Sequence, residues 1–488
     1  MSATCKRSAL QLLMRRRGER RSRRKERRFS SGANKGRGAL YTSNRGRGIL
    51  TTETMSKQKA LGSTIFASTI GTVVEWYDFI LYATAAALIF NHLFFPQFDP
   101  TTGIIASFAT YTVGFLVRPL GGIVFGWMGD RIGRKPVLML TLLMMGISTT
   151  LIGCLPTYDS IGIWAPILLL ALRVVQGLGA GAEYAGAVVM AGEIAGNRRG
   201  FFASLPAAAV DVATILAAGV FALFTLLPEE AFMSWGWRVP FLLSGLVLFL
   251  GIYIRQKVPE SPEFLQVKEE RRDAKLPVLE VLRDHPRTML AAMGANFAPN
   301  LSYVFQTFTL AYATSKLGFP REIILIGVML SSAFGAVMCV VFGALSDRVG
   351  RVPIMAMGSA AAAIYSLVYF QLLGAGTPWT AVVLIIIGHA IGARSSFGVQ
   401  PSFYCDIFPT EVRYSAIAFA REVTGALFVG PLPLLATALV SWYESAWPVA
   451  VITALYCLIT TVSVLSVEKA QKLDAEARER RGLVEQKA

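Results

Sequence analysis

Charge is scarce in this chain: 16% of the residues are Asp, Glu, Lys or Arg, where a soluble globular domain carries about a quarter. Hydrophobic residues make up 54%. A water-soluble domain cannot bury that much apolar surface, so the composition points to a polytopic membrane protein. Cysteine is also sparse. Cys5, Cys154, Cys339, Cys405 and Cys457 are scattered with no CxxC pair, which excludes a ribbon-type metal site and leaves isolated thiols. His92, His285 and His389 have no neighbouring ligands in sequence, so no metal and no cofactor is expected. No nucleophile or acid/base constellation stands near a loop, and the tail leaves no room for a signalling domain. An enzyme or a sensor is therefore not expected.

The net charge of +16 is concentrated at the front. Residues 1–54 hold 16 Lys/Arg against 3 Asp/Glu, while the other 31 and 28 nearly cancel. A basic arm for anionic lipid or nucleic acid is physically open. A secretory or twin-arginine signal is not, because no apolar h-region follows the arginines. The reading adopted is an overlong start, with Met55 (MSKQKALGSTIF) as the first working residue. No nucleic-acid partner is expected.

Apolar runs of about 20 residues, the length that crosses a bilayer, occur near 62–90, 103–128, 136–155, 161–191, 201–227 and 238–256. After a polar stretch, six more follow near 288–316, 322–345, 352–373, 379–407, 414–440 and 446–467. The expected fold class is an all-α polytopic membrane protein, with twelve transmembrane helices in two six-helix bundles. The expected organisation is a basic disordered extension (1–58), a first bundle (59–256), a linker (257–287), a second bundle (288–468) and a tail (469–488). Loops at 129–135, 192–200, 255–287, 346–351 and 408–413 carry 16 Lys/Arg, while the alternate loops carry Lys316 and Arg321, with Arg238 at a helix edge. The positive-inside rule then places both termini and the linker in the cytoplasm.

The two halves repeat a motif. In GWMGDRIGRKP and GALSDRVGRVP, residues Gly126, Asp130, Arg131, Gly133, Arg134 and Pro136 match Gly343, Asp347, Arg348, Gly350, Arg351 and Pro353 at an offset of 217. A fainter echo links Glu193 and Arg199 with Asp406 and Arg413. Parallel halves of six spans are a transporter signature. Gly133 and Gly350 allow a tight turn. Arg131, Arg134 and Lys135 put cations near the negative end of the incoming helix. Gly126 and Gly343 let helices approach closely. Asp130 and Asp347 supply an anion able to hold the facing half in one state and release it in another.

The run from Gly126 to Lys135 resembles the signature loop of the major facilitator superfamily. Within it, GTVVEWYDF, RPLGG, RVVQGLGAGAEYAGA, WGWRVPF, PESPEF and FPTEVRYSA resemble the metabolite:proton symporter family, the shikimate-type members foremost. The resemblance covers about 62–468. It departs at Ala182 and Tyr184, where GGEW-like sequence is usual, and at Val352, which replaces a basic residue. It implies a proton-coupled carrier in the bacterial inner membrane, working by alternating access. Proton entry, driven by pH and by a potential giving about 2.3 kcal/mol per charge per 100 mV, would power uptake.

Charges inside the spans locate the candidate site. Glu75 and Asp78 lie within GTVVEWYDFILYATAAALIF, and a carboxylate in mid-bilayer costs about 3 kcal/mol. Helical spacing lets Glu75, Asp78 and Tyr82 face one aqueous cavity, with Phe79 sealing its edge. The two carboxylates, with Asp211 in the fifth span, are the candidate proton-coupling residues. A structural ion pair is the competing role for each. Arg173, Gln176 and Glu183 share roughly one face of the fourth span. Arg173 either clamps a substrate carboxylate or pairs with Glu75 or Asp78. Asn296, Asn300, Tyr303 and Thr307 form a polar stripe at i, i+4, i+7 and i+11, suited to a hydroxylated or carboxylated solute. Helix–helix bonding is its competing role. Arg394, with Gln400 and Tyr404, adds a second cationic group. The candidate substrate residues are Tyr82, Arg173, Gln176, Glu183, Asn300, Tyr303, Arg394 and Gln400. Arg118, before Pro119, is taken as a packing or gating residue. The expected function is proton-coupled import of a small organic acid, shikimate-like or a carboxylate. A betaine/proline-type zwitterion carrier, or an exporter or facilitator on the same fold, remains open. The partners expected are the bilayer, the solute and H⁺, with the protein a monomer.

Overall fold

In lipid a chain satisfies its backbone most simply by closing every N–H···O=C bond within its own segment. A computed structural model describes residues 69–132, 134–181, 198–257, 277–410 and 412–485, and all regular structure among them is helical. Eight helices combine the length and apolarity to cross a bilayer. Two shorter apolar helices, Met139–Cys154 and Trp164–Ala180, the first span at 69–88 and a broken seventh span between Pro286 and Ser315 complete the twelve. Large apolar side chains such as Ile123, Phe249, Leu290, Ile364 and Trp442 stand exposed. On a membrane protein this surface is the lipid contact.

Helix boundaries follow local chemistry. Asp99 caps the second span, Pro100–Leu116, continued by Arg118–Ile132. Its carboxylate accepts from the backbone N–H groups of Thr101 and Thr102 at 3.1 Å, and Pro100 occupies the first helical position. The eighth span, Arg321–Val349, turns into the ninth, Arg351–Ala375, through Gly350 at φ 101° and ψ 154°. Only glycine occupies that region without strain, so the tight turn expected at Gly350 is formed.

The halves meet along two seams. The fifth span, Arg199–Thr225, lies along the eighth, and the second lies along the eleventh, which begins as Arg413–Thr424. Gly200 and Gly343 make the first seam possible. A methyl on Gly343 would collide with Ser204 and the Gly200 carbonyl, and one on Gly200 would strike Gly343.

The sixth and eleventh spans widen into π-helical stretches at Phe232–Gly236 and Gly425–Val429, and the seventh and tenth are also irregular. The seventh runs Pro286–Gly294, then a 3₁₀ turn at Ala298–Asn300 and a wide π-helical stretch at Tyr303–Phe308. The tenth, entered at Pro378–Ile386, widens in the same way at Ile387–Ala393 before Arg394–Phe397 and Gln400–Ile407. Such widened turns gather at functional sites.

Residues 469–485, expected as the tail, are helical. They continue the twelfth span as one helix, Trp447–Glu485, which packs back on the second half. Asp474, 1% exposed, accepts from the Thr288 N–H at 2.9 Å and the Thr288 hydroxyl at 2.8 Å. It thereby caps the seventh span, and Gln471 donates to the Ile407 carbonyl at 3.0 Å.

Candidate functional site

A small cavity of about 50 Å³ lies between the halves. It accommodates a few waters and is too small for an organic acid, so a solute can pass only if the halves move. Trp76, Ile80 and Thr84 of the first span form its wall on one side. Asn300, Tyr303, Gln306 and Thr307 of the seventh span and Arg394 and Phe397 of the tenth face them.

On the first span the cavity meets a different face from the one carrying the candidate carboxylates. The stripe at i, i+4 and i+8 that meets the cavity begins at Trp76; Glu75, Asp78 and Tyr82 are not in its wall. Glu75 and Asp78 are 2% and 3% exposed. Ser244 of the sixth span (Arg238–Lys257) donates to Asp78 at 2.6 Å, and Tyr82 shares a 2.6 Å hydrogen bond with Thr110 of the second. These side chains point into the first bundle because those spans offer the hydroxyl partners that buried polar groups require. The cavity side offers Asp78 no comparable partner.

Arg173 is fully buried beside them. It donates to Gln176 Oε1 and, at 3.5 Å, to the Tyr111 carbonyl; Gln176 in turn donates to Thr149 at 2.8 Å. Its guanidinium lies over Tyr82 at 4.2 Å and Phe79 at 4.5 Å. The alternative ion pair with Asp78 is not formed. Arg173 and Gln176 therefore hold the bundle core in this structure, outside the cavity wall. Glu183 lies outside the described residues.

Asp211 is different. Fully buried in the fifth span, its two oxygens accept from Arg394 Nε at 2.7 Å and Nη2 at 2.6 Å. His389, one turn earlier on the tenth span and fully buried, places Nε2 at 2.7 Å from the same carboxylate. An ionised carboxylate only accepts, so Nε2 carries the hydrogen. His389 Nδ1 is buried without a partner. A bidentate pair thus joins the first half to the second, with Arg394 in the cavity wall. Arg394 and Asp211 both carried expectations from the sequence; His389 did not. Its signal was there, since it lies well inside an apolar span whereas His92 and His285 lie at helix ends.

On the seventh span, Asn300 and Tyr303 line the cavity. The stripe does not extend to Asn296, because the helix ends at Gly294 and the 3₁₀ turn at Ala298–Asn300 intervenes, although Asn300 Nδ2 donates to the Asn296 carbonyl at 2.6 Å. Asn296 instead accepts from Gln400 Nε2 at 2.9 Å. Gln400 is fully buried and also meets Tyr404 at 3.2 Å. It ties the seventh span to the tenth and is not among the residues lining this cavity. Gln306 was missed: its amide donates to Ser331 and Ser332 at 2.8 Å at the cavity edge.

Both ends of the seam between the fifth and eighth spans are tied. At one end Asp347 accepts from the backbone N–H groups of Gly200 and Phe201 at 2.7 and 3.0 Å. Arg351 bridges Asp406 at 2.6 Å and Asp347 at 3.7 Å, and Arg199 meets Asp406 at 3.4 Å. Arg348 is exposed. At the other end Arg321 pairs with Glu229 at 2.6 Å. For the first copy of the loop, Gly133 lies outside the described residues. Gly126, Asp130, Arg131, Arg134 and Lys135 are described as helical backbone only.

Comparisons with known proteins agree with this architecture. A family model described as Major Facilitator Superfamily matches residues 69–431. The shikimate transporter of Escherichia coli (strain K12) is 38% identical over 423 residues, 86% of this chain and 95% of that protein. The proline/betaine transporter of Salmonella typhimurium is 36% identical over 425 residues, 83% of each chain. A crystal structure of a D-xylose-proton symporter shares the fold, with a TM-score of 0.64 at 18% identity over 83% of this chain and 96% of the other. The chain is a membrane transporter belonging to the major facilitator superfamily, similar in sequence to bacterial metabolite transporters.

Proposed function

We propose that this transporter is a proton-coupled symporter of the bacterial inner membrane, importing a small organic acid by alternating access, with both termini in the cytoplasm. One observation carries the reading: the buried, bidentate Asp211–Arg394 pair joins the two halves at the cavity wall. Parting such a pair leaves buried charge uncompensated, at about 3–5 kcal/mol. The halves separate there only when both partners are replaced. A proton takes the place of Arg394 on Asp211, and a solute carboxylate takes the place of Asp211 on Arg394, whose planar fork fits it. Each exchange favours the other, which is what coupling demands. Asn300 and Tyr303 offer amide and hydroxyl partners to the rest of the solute. Glu75 and Asp78 are proposed as further proton sites.

Asp211→Asn tests this in proteoliposomes, normalised to folded protein. Accumulation driven by a pH gradient should fall at least tenfold, while counterflow exchange persists; accumulation at the wild-type level sinks the coupling assignment. Glu75→Gln and Asp78→Asn in the same assay test the other two carboxylates.

A second reading has its own support. The aromatic wall of Trp76, Tyr303 and Phe397 suits an ammonium group, and one relative is named for proline and betaine. A zwitterion would then span from those rings to Arg394. A thermal-shift screen of shikimate, quinate, dicarboxylates, tricarboxylates and betaines separates the two.

A further inference from the structure

Arg118, the arginine of RPLGG, is left over by this account. It is 5% exposed, and its Nε and Nη2 are buried with no hydrogen-bond partner. Among the described residues it makes no ion pair. Its guanidinium instead rests on rings, 4.0 Å from the centroid of Phe79, 4.6 Å from Phe115 and 5.7 Å from Trp76. Stacking occupies the faces of the guanidinium plane and leaves the N–H edge without acceptors. Glu422 of the eleventh span feels the charge of Arg118 but forms no ion pair with it.

A buried cation without a hydrogen-bonded counter-ion is costly, and a packing role would be served as well by an apolar side chain. The place of the guanidinium explains its retention. Trp76, beneath it, lines the cavity, and so does Tyr303, whose ring meets Phe115 at 5.7 Å. Arg118 thus stands one side chain behind the cavity wall, its faces fixed by aromatic rings and its donor edge unmet. We infer that Arg118 is a carboxylate-binding residue of the transport path, gripping the anionic end of an organic acid through its planar fork once the halves part. This rests on the organic-acid reading above and adds to it a second cationic pole, carried by the first half, opposite Arg394 in the second.

The test uses purified full-length protein and equilibrium binding with no gradient. The probes are shikimate, quinate, 2-oxoglutarate and citrate, each beside its neutral methyl ester. Emission of Trp76 is one readout, with Trp76→Phe identifying its share of the signal; thermal shift is the other. The wild type should bind an acid and not its ester. Arg118→Gln should weaken binding by on the order of 10- to 100-fold, the worth of a charge-assisted hydrogen bond. Arg118→Lys keeps the charge without the fork and should fall between. Unliganded Arg118→Gln should melt no lower than wild type, since it removes an unpaired buried charge. A merely structural arginine would lower the melting temperature and leave affinity unchanged. Wild-type affinity in Arg118→Gln overturns the inference and leaves the symport reading standing. If Arg118→Gln does not fold, wild-type affinity in Arg118→Lys overturns it equally. A wild type that binds none of the acids overturns both.

Discussion

Arg118, Arg173 and Arg394 are all buried within the spans, yet among the described residues only Arg394 is given a carboxylate. Arg118 and Arg173 are held mainly by rings and amides. Removing one partner of the Arg394 pair should therefore cost far more than removing both. Asp211→Asn leaves a cation buried without its counter-charge and should destabilise by about 3–5 kcal/mol. Asp211→Asn with Arg394→Gln should recover most of that loss while still failing to accumulate solute. Thermal unfolding of the two variants in detergent checks it, and equal melting temperatures would count against a net-favourable pair. The sequence displayed both charges in apolar runs but not their partnership, because 183 residues separate them. It placed Glu75, Asp78 and Tyr82 on one helix, but not the partners that Asp78 and Tyr82 find. Periodicity tells which side chains share a face; the hydroxyls that claim the face, Ser244 and Thr110, belong to other spans.

At the scale of elements, most of the fold was legible. Run length gave the spans, while the loop-charge alternation and the repeat around Gly126 and Gly343 are properties of the sequence itself. The breaks were not legible. The π-helical stretches at Tyr303–Phe308 and Ile387–Ala393 depend on what packs around them, as does the 3₁₀ turn at Ala298–Asn300 that parts Asn296 from the cavity stripe of Asn300, Tyr303 and Thr307. The sequence delimits the tail at 469–488 without showing what it touches, and Asp474 is buried against the start of the seventh span. That contact is a helix cap made by a residue 186 positions away. Asp474→Ala should cost about 1–3 kcal/mol, since a buried cap is lost along with its N–H partner. A melting temperature unchanged from wild type would show that the continued helix is only an appendage.

At the scale of the whole molecule, and among the described residues, the two ends of the seam between the fifth and eighth spans are tied with unequal strength. Glu229 is 65% exposed in its pair with Arg321, and such surface pairs contribute about 0–1 kcal/mol. Asp347 is 11% exposed and accepts from two backbone N–H groups at the start of the fifth span, besides its contact with Arg351. A carboxylate at a helix N-terminus gains from both the orphan donors and the dipole. The end proposed to face the cytoplasm is therefore the firmer latch, and removing its anion should bias the carrier toward opening there. Ser204 is fully buried in that seam, against Gly343, so a cysteine at 204 reports the opening. With Asp347→Asn, labelling of Ser204→Cys by a membrane-impermeant maleimide should quicken several-fold in inside-out vesicles and hardly change in right-side-out ones. Glu229→Gln should leave the inside-out rate near that of Ser204→Cys alone. Equal labelling with and without Asp347 would show that helix packing around Gly200 and Gly343 closes this end unaided. Faster labelling only in right-side-out vesicles would reverse the proposed orientation.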